Sequence, residues 1–455
     1  MAVMKDAAGP EETTVKGVRV NAVPGQRPMR IDGHVTVPSL LRARCRENGP
    51  NTAHREKELG IWQAHSWNDY LENVRLVGMG LRALGLKRGD VISILSEDNK
   101  EWMYCDMAAQ CMGAVSSGVY TTDSARQLAY LVNDSGTRFL FVENEEQLDK
   151  FLEVEAQMPG LEKVVIFDPE GLHNFSHPKC MFLSALYDLG RANDDPALFD
   201  AEIDKARPED LAVLIYTSGT TGDPKGVMLT QENIMAGMEA SLYGLPFERG
   251  AEQLCFLPLC HILERLVSLY TPLILSCTVN FAESPETVFD NIREVSPHGF
   301  VAVPRVWEKI YSRVLLMAQE STWIGRMAFG AALSAGRKRA AHVLEGRPVP
   351  LATQAWFLLW DFLVLRNLRR MLGMDRLLCG LTGAAPISPE LLRWYHSIGV
   401  PLFEGFGMSE TTGVATINNF EANRTGSVGR AARAPATSAS HRSIRGRTTP
   451  TWTRP

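Results

Sequence analysis

The sequence predicts a mixed α/β fold with mainly parallel sheets, arranged as two α/β subdomains in tandem. Short apolar runs alternate with helical segments of about ten or more residues, which is the pattern of parallel strands covered by helices. This alternation occurs once before Pro208 and again after it. The chain has 455 residues, of which 45% are hydrophobic and 22% charged, so it can form more than one core.

The first series of elements follows residues 1–35, which are polar, rich in Gly and Pro, and predicted to form an irregular lead-in. Its strands are predicted at residues 91–95, 114–120, 139–142 and 164–167. Its helices are predicted at residues 101–112, 122–134 and 145–157. The first subdomain is therefore assigned to residues 36–207.

The second series defines a second subdomain over residues 208–430. Its strands are predicted at residues 211–216, 300–303 and 376–381. Pro304 is expected to end the second of these strands, because proline cannot donate to a strand ladder. Thr230 is expected to cap a helix. Ser284-Pro285-Glu286 is expected to open another, with proline at the first helical position.

Charge and cysteine content exclude several classes of protein. Lys and Arg number 47 against 52 Asp and Glu, a net charge of −5, so nothing indicates a nucleic-acid partner. The eight cysteines are scattered without a Cys-x-x-Cys pair, which is typical of free thiols in a reducing compartment. The first residues lack the basic start and apolar run of a signal peptide. We therefore expect a cytoplasmic protein.

One apolar segment leaves two interpretations open. Residues 355–365 are apolar except for Asp361, carry Trp356 and Trp360, and run into three arginines. They are too short to span a bilayer, which takes about 18–20 apolar residues. The favoured interpretation is a helix packed on the protein with its arginines solvated. The alternative is a peripheral membrane contact in which this aromatic face lies among lipid headgroups.

The composition changes abruptly at residues 431–455. This tail contains five Arg, no Asp, Glu or Lys, and otherwise mostly Ala, Ser, Thr and Pro. Such a segment cannot bury enough apolar surface to offset its ordering entropy, so it is predicted to be disordered. A shifted reading frame or a premature end would produce the same abrupt change.

A loop rich in glycine and hydroxyl side chains follows the strand predicted at residues 211–216. It reads Thr217-Ser218-Gly219-Thr220-Thr221-Gly222-Asp223-Pro224-Lys225-Gly226. Glycines let backbone N–H groups turn toward an anion, the hydroxyls add donors, and the lysine supplies positive charge. The loop is not a Walker A loop, which requires Gly-x-x-x-x-Gly-Lys-Ser/Thr. It predicts a site for nucleotide phosphates; the alternative is a flexible turn of small residues.

This loop and two later motifs resemble those of the adenylate-forming superfamily, which comprises acyl-CoA synthetases, luciferases and the adenylation domains of peptide synthetases. Thr382-Gly383-Ala384-Ala385-Pro386 resembles the family's adenine loop. Gly405-Phe406-Gly407-Met408-Ser409-Glu410-Thr411 resembles its Tyr-Gly-x-Thr-Glu motif. The resemblance implies the fold of the family's large N-terminal domain.

A narrower resemblance concerns the branch of the family and its substrate class. Pro258-Leu259-Cys260-His261-Ile262-Leu263-Glu264-Arg265 is similar to the Pro-Leu-x-His-x-x-Glu-Arg stretch of long-chain fatty acyl-CoA synthetases. Residues 303–309 and 118–122 also resemble that branch, nearest its bubblegum-type members. The likeness runs from about residue 38 to residue 429. The chain is therefore expected to be truncated and to lack the family's small C-terminal domain.

The resemblance implies a role for each matched residue. The ATP phosphates would be held by Thr217, Ser218, Gly219, Thr220, Thr221, Gly222, Lys225 and Gly226. The adenine pocket would be shaped by Gly383, Ala384, Ala385, Pro386, Glu404, Gly405 and Phe406. Ser409 would reach the α-phosphate, and Thr220 and Glu410 would bind Mg²⁺. His261 would lie near the substrate carboxylate and the access route of coenzyme A. Lys225, His261 and Glu410 are the implied catalytic residues.

The implied function is that of a long-chain fatty acid–CoA ligase. ATP would activate the fatty acid as an acyl-adenylate, and coenzyme A would then displace AMP. Adenylation is expected to be slow in a chain without the small domain, because water is not excluded from the site. Two alternatives stay open: a ligase for another carboxylic acid, and a non-catalytic fragment that binds nucleotide or lipid.

Overall fold

The protein is described by a computed structural model that covers residues 12–23, 25–217, 223–420 and 423–432. The strands are β1 (Glu12–Val15), β2 (Val18–Asn21), β3 (Thr52–Glu58), β4 (Ile61–Ser66), β5 (Val91–Leu95), β6 (Val115–Val119), β7 (Thr137–Val142), β8 (Lys163–Ile166), β9 (Cys180–Phe182), β10 (Leu211–Thr217), β11 (Lys225–Thr230), β12 (Glu252–Cys255), β13 (Thr278–Phe281), β14 (Gly299–Ala302), β15 (Cys379–Thr382), β16 (Leu402–Phe406), β17 (Thr416–Ile417) and β18 (Arg430–Ala431).

The helices lie between these strands. They are α1 (Val37–Asn48), α2 (Trp67–Ala83), α3 (Lys100–Cys111), α4 (Ala125–Ser135), α5 (Glu145–Val154), α6 (Leu183–Ala192), α7 (Pro196–Asp204), α8 (Gln231–Gly244), α9 (Ile262–Glu264), α10 (Thr271–Leu275), α11 (Val288–Val295), α12 (Pro304–Glu320), α13 (Trp323–Leu344), α14 (Leu351–Trp360), α15 (Arg366–Met371) and α16 (Pro389–Ser397). Segments of 3-10 or π geometry occur at Glu155–Gln157, Arg265–Tyr270, Asp361–Leu365 and Ser409–Thr411.

Within the described residues, the strands form the β1–β2 hairpin and two large sheets. The first large sheet has the order β11-β10-β6-β5-β7-β8-β9, and the second has the order β18-β17-β16-β15-β14-β12-β13-β3-β4. Neighbouring strands are parallel except where β11, β4, β17 and β18 join antiparallel. The predicted mixed α/β class with mainly parallel sheets is confirmed.

The largest hydrophobic core lies between the two sheets. Ile92 and Phe139 of the first sheet share it with Cys255 and Leu381 of the second, together with helices α1, α2, α3 and α8. Leu140 points to a smaller core under α4 and α5 on the outer face of the first sheet. The outer face of the second sheet is covered by α11 to α16. The molecule is therefore layered helix, sheet, helix, sheet, helix.

Most of the predicted elements of both series are found close to their predicted positions. The helix predicted at residues 122–134 is α4, which begins after the cap Ser124 and ends at Gly136 in the left-handed conformation (φ 68°). Thr230 caps α8 as predicted, because its hydroxyl accepts from the Asn233 N–H. The strand predicted at residues 300–303 ends at Ala302, and Pro304 begins α12.

Two local predictions are wrong. The helix expected to open at Ser284 begins at Val288 instead, because the Thr287 hydroxyl closes a turn on the Ser284 carbonyl (3.1 Å). The lead-in is not wholly irregular. Residues 12–21 form the β1–β2 hairpin, in which Val18 and Val20 are fully buried. The predicted disordered tail lies outside the described residues, except Ala431 and Ala432.

The sheets exchange strands across the boundary predicted between residues 207 and 208. β3 and β4 come from the first predicted subdomain but join the second sheet, whereas β10 and β11 come from the second and join the first. The two sheets therefore do not correspond to the two predicted subdomains, and the division into subdomains stays a prediction. The exchange has one clear consequence: β10 and β11, the strands on either side of the predicted phosphate loop, belong to the first sheet, and β11 contacts the Ser409–Thr411 turn that follows β16 of the second.

Candidate active site

A cavity of about 550 Å³ lies where the two sheets meet. Its wall contains residues from β10, the segment around α9, and the carboxyl ends of β14, β15 and β16. The lining residues are Thr217, His261, Ile262, Leu263, Val301, Leu381, Thr382, Gly383, Ala384, Gly405, Phe406, Gly407, Met408, Ser409, Gly413, Val414 and Ile417. Crevices at the carboxyl ends of parallel strands are where open α/β sheets bind ligands.

The loop after β15 forms one wall of this cavity because β15 and β16 are parallel neighbours, with Thr382 paired to Glu404. Gly383 lies so close to β16 that an added Cβ would be 3.1 Å from the Gly405 carbonyl oxygen. Ala384 has φ 65°, a left-handed conformation that costs a residue with a Cβ free energy. The loop is thus a strained, closely packed turn that exposes backbone to the cavity.

Glu404 supports this wall from behind and does not line the cavity. Its carboxyl group accepts a hydrogen bond from the Ile387 backbone, next to Pro386, and burial raises its pKa. Its carbonyl accepts from the Asn418 N–H (3.0 Å). Ala385 and Pro386 are likewise outside the lining. These three residues hold the shape of the loop, whereas Gly383 and Ala384 face the cavity.

His261 both caps a helix and lines the cavity. Its Nδ1 accepts from the Leu263 N–H (3.2 Å), so the side chain caps α9. The ring also lines the cavity. Burial lowers its pKa below the usual value near 6.5, so the ring is neutral at pH 7. Since Nδ1 is an acceptor, the proton is on Nε2, which makes that atom a hydrogen-bond donor.

The segment that carries His261 is held by a buried ion pair. Arg265 donates from Nε to the Leu259 carbonyl (2.9 Å) and from Nη1 to Asp106 Oδ1 (2.9 Å), and both charged side chains are fully buried. The Trp102 ring lies 4.5 Å from the guanidinium carbon. On the other side, Asp98 accepts from the Leu259 N–H (2.8 Å). The backbone before His261 is therefore fixed from two directions.

The predicted phosphate loop connects β10 to β11 in an antiparallel hairpin, with Thr217 paired to Lys225. Ser218, Gly219, Thr220, Thr221 and Gly222 lie outside the described residues. The two ends of the loop are anchored: the Tyr216 hydroxyl donates to Asp134 Oδ2 (2.7 Å), and the Tyr130 hydroxyl donates to the Pro224 carbonyl (3.0 Å). Thr217 lines the cavity, whereas Lys225 is exposed and Gly226 is half-buried outside the lining.

The motif at residues 405–411, which contains Glu410, lies beside the β10–β11 hairpin. Ser409–Thr411 forms a tight turn in which the Thr411 N–H donates to the Met408 carbonyl (3.1 Å), and this turn contacts β11. Ser409 is buried and lines the cavity, while Glu410 is exposed at its edge. Gly407 is required for the fold of this turn, because an added Cβ would lie 1.6 Å from the Gly413 carbonyl oxygen.

Several lining residues were not singled out from the sequence. Thr382 is the first residue of the adenine-loop motif but was assigned no role, and its buried hydroxyl has no partner among the described residues, so it is free to meet a ligand. Val301 could have been found from its place at the end of a strand. Val414 and Ile417 give no signal in the sequence, since they reach the cavity only through the turn after Glu410.

Solved structures with a similar fold include an anthranilate CoA ligase and the N-terminal domain of FACL13. The anthranilate CoA ligase AuaEII, solved with anthranoyl-AMP, superposes with a TM-score of 0.63 at 17% identity, covering 87% of this chain and 63% of that one. The N-terminal domain of FACL13 from Mycobacterium tuberculosis gives 0.60 at 18% identity, covering 85% of this chain and 79% of that one. At these identities the likeness shows the fold alone.

A family profile described as AMP-binding enzyme matches residues 41–440. The chain belongs to the AMP-binding enzyme family, as the three motifs predicted.

Curated relatives are similar along most of this chain. The long-chain-fatty-acid–CoA ligase ACSBG2 of Xenopus laevis is 31% identical over 405 residues, which is 87% of this chain and 54% of the relative. ACSBG1 of Rattus norvegicus is 32% identical over 359 residues, 77% of this chain and 49% of the relative. The similarity to the bubblegum-type branch is therefore confirmed. The chain spans about half the length of the curated relatives it matches.

Proposed function

We propose that this protein activates a long-chain fatty acid with ATP, through an acyl-adenylate, for transfer to coenzyme A. One observation carries the proposal: a single cavity brings Thr217 of the phosphate hairpin together with His261, Gly383 and Ser409. These residues come from distant parts of the chain and from both sheets. The curated relatives are long-chain-fatty-acid–CoA ligases, which indicates the class of acid.

In the proposed reaction, a carboxylate oxygen of the fatty acid attacks the α-phosphorus of ATP. The bond to pyrophosphate breaks, and the acyl-adenylate remains in the cavity. The sulfur of coenzyme A then attacks the acyl carbon, and AMP leaves with the electron pair of the broken C–O bond. The first step brings two anions together, so donors and positive charge must be aimed at the phosphates.

Each predicted residue has a proposed part in holding this charge. Gly383 and Ala384 present backbone to the adenine, and the Ser409 hydroxyl is directed at the α-phosphate. The Nε2–H of neutral His261 donates to the fatty-acid carboxylate. Lys225 has no ion-pair partner among the described residues, so its ammonium group is free to meet the outer phosphates.

Magnesium is proposed as the ion that accompanies ATP. Among the described residues, no group of three or more His, Cys, Asp or Glu side chains could enclose a metal. A single exposed carboxylate, Glu410, beside the phosphate hairpin fits Mg²⁺, which keeps several waters and binds one or two carboxylates together with phosphate oxygens. Thr220, the second proposed ligand, lies outside the described residues. When bound, the ion neutralises phosphate charge.

The partners follow from the reaction: a long-chain fatty acid and coenzyme A as substrates, in the cytoplasm with peripheral contact to a membrane. Fatty acids partition into bilayers, so an enzyme that uses them gains by lying on the bilayer surface. Among the described residues, no helix is both long enough and apolar enough to cross a membrane.

The direct test is pyrophosphate exchange into ATP with the whole chain, together with AMP release, using palmitate and a panel of shorter and aromatic acids. Palmitate-dependent exchange is expected, followed by AMP release when coenzyme A is added. Nucleotide binding without exchange for any acid would contradict the ligase proposal. Exchange with a different acid alone would contradict the substrate class.

A matched pair of variants tests the role of Lys225. Lys225→Ala should lower the exchange rate by about tenfold to a hundredfold, because it removes one charge-assisted contact. Its unfolding midpoint should not change, since the side chain is exposed. Lys87→Ala, an exposed lysine far from the cavity in sequence, is the control and should change neither quantity. Equal exchange rates for both variants would remove Lys225 from the mechanism.

A further inference from the structure

The outer surface of helices α13 and α14 carries a concentration of exposed apolar side chains. These residues, which we call the outer helical face, are Trp323, Ile324, Met327, Leu351, Trp356, Leu358, Leu359, Phe362 and Leu363. Leu351 is 89% exposed, Phe362 67% and Trp323 64%. Scattered apolar residues are normal on a protein surface, but a concentration of this kind marks an interaction site.

The arrangement is not the exposed rim of a buried core. Phe357, Leu365 and Leu368 form the inward side of the segment from α14 to α15 and pack under the second sheet. Leu351 and Leu358 are separated by seven residues of α14 and therefore share one side of it, and both are exposed, as is Phe362 in the π segment that follows. A helix that lay against water on its outer side would carry polar residues there. This one is apolar on both sides.

The segment that carries this surface is rich in positive charge. Residues 323–371 contain eight Lys or Arg and two acidic residues, a net charge of +6 in a chain whose overall net charge is −5. Both acidic residues are already paired: Asp361 binds Arg369 (2.6 Å), and Glu345 binds Arg347. Six cations form no ion pair with an acidic residue among the described residues, namely Arg326, Arg337, Lys338, Arg339, Arg366 and Arg370.

Apolar side chains, indole rings and unpaired arginines together match one kind of partner. Anionic lipid headgroups attract the cations, and the boundary below them accepts the apolar side chains, with Trp at headgroup level. Nucleic acid offers the charge but not the apolar phase. We propose that the outer helical face lies on the surface of an anionic lipid membrane, with Trp356, Leu358 and Phe362 inserted at the headgroup boundary.

This inference assigns the peripheral membrane contact of the proposed function to one surface of the molecule. It rests on the proposed function only in that respect. Membrane binding needs neither ATP nor a functioning cavity, so each can fail without the other. The packed-helix interpretation of residues 355–365 also holds, since the inward side is buried. The two interpretations that the sequence left open describe opposite sides of one helix.

The experiment is co-sedimentation of the whole chain with vesicles. Binding to phosphatidylcholine vesicles that contain phosphatidylserine is expected, with much weaker binding to pure phosphatidylcholine and a loss of binding as salt rises. The double variant Arg366→Glu/Arg370→Glu should weaken binding about thirtyfold or more. Its matched control is Arg82→Glu/Lys87→Glu, which removes two exposed cations outside this surface and should bind nearly as the unmodified chain does.

The apolar component is tested by Leu358→Glu/Phe362→Glu. Binding should fall at least tenfold while the melting temperature stays near that of the unmodified chain, because both side chains are exposed. Leu59→Glu is the control, since Leu59 is 98% exposed on the β3–β4 turn. The proposal is overturned if the unmodified chain ignores both kinds of vesicle, or if both double variants bind as well as their controls. It is also overturned if the face instead joins two copies, seen as a lipid-free dimer that Leu358→Glu/Phe362→Glu dissociates.

Discussion

Glu264 is a carboxyl group placed where a charge is costly. It is fully buried beside the His261 segment and accepts a hydrogen bond from the Ser268 hydroxyl (2.6 Å). Burial raises its pKa to about 7 from the usual 4.5. The folded state therefore keeps a proton that the unfolded chain releases, and stability falls as the pH rises from about 4.5 to about 7.

Glu264→Gln should accordingly stabilise the protein at high pH only. We expect a gain of roughly 1–3 kcal/mol at about pH 8 and almost none at about pH 4.5, because the amide mimics the protonated acid. Denaturant unfolding at the two pH values measures this difference. Glu153→Gln, at an exposed position of α5, is the control and should show no such dependence. An equal effect at both pH values would show that the acid is charged in the folded state.

Unlike Glu264, the buried charges of Arg265 and Asp106 form an ion pair, in which each charge compensates the other. Arg265→Met should cost about 3–5 kcal/mol, because it leaves the Asp106 carboxylate buried without a partner. Arg265→Met combined with Asp106→Leu should cost clearly less than the sum of the two single changes. Urea unfolding of the unmodified protein, the two single variants and the double variant measures the coupling between the two changes. Strict additivity would mean that the two charges do not interact.

At the scale of elements, the contact between α13 and α16 is set by one glycine. A Cβ at Gly336 would lie 1.9 Å from the Ser397 carbonyl oxygen, whereas a Cβ at Gly330 in the same helix would meet nothing within 4 Å. Gly336→Ala should therefore destabilise by about 1–3 kcal/mol. Gly330→Ala should stabilise by about 0.5–1 kcal/mol through helix propensity.

Thermal unfolding of these two variants gives a matched comparison, since residue type and helix are the same. Opposite shifts of the melting temperature are expected. If both variants shifted it in the same direction, helix propensity alone would govern α13, and the close approach to α16 would not hold in solution.

Elements with a strong local signal were predictable. The buried strand β5 and the start of helix α8, capped by Thr230, lie where they were predicted because apolar run length and capping chemistry are local properties. β3 was missed because its sequence, Thr-Ala-His-Arg-Glu-Lys-Glu, is mostly polar and its strand form depends on pairing with β4 and β13. The two-residue strands β17 and β18 exist only through such pairing.

The same distinction holds for the candidate site. Thr217, His261, Gly383 and Ser409 were found because each belongs to a motif contiguous in sequence. Whether a motif residue faces the cavity or supports it from behind was not predictable, as Glu404 shows, because that depends on which side of β16 meets the loop after β15. Ile417 could not be found from the sequence, because tertiary folding alone brings it to the wall.

At the scale of the whole molecule, the layered architecture places nearly all the cysteines inside. The eight thiols are free, and among them only Cys180 is partly accessible. Burial raises the pKa of Cys180 to about 11 and the pKa values of Cys277 and Cys379 to about 12. The thiolate is the reactive form, so the native protein should be almost inert to alkylation.

Iodoacetamide labelling followed by intact mass measurement checks this expectation. In the native protein at about pH 8, at most one label is expected within the time that labels all eight cysteines in denaturant. Cys180→Ser should abolish the single native label. Rapid labelling of several cysteines in the native protein would mean that the cores open far more often than a packed fold allows.

The position of the cavity between the sheets has a mechanical consequence. Thr217 is anchored to one sheet, while Gly383 and Ser409 are anchored to the other. A ligand bound in the cavity would contact both sheets, so separating the sheets would require the ligand to dissociate first. The free energy of unfolding should therefore rise with ligand concentration, by about 2.7 kcal/mol when free ligand is at a hundredfold excess over the dissociation constant.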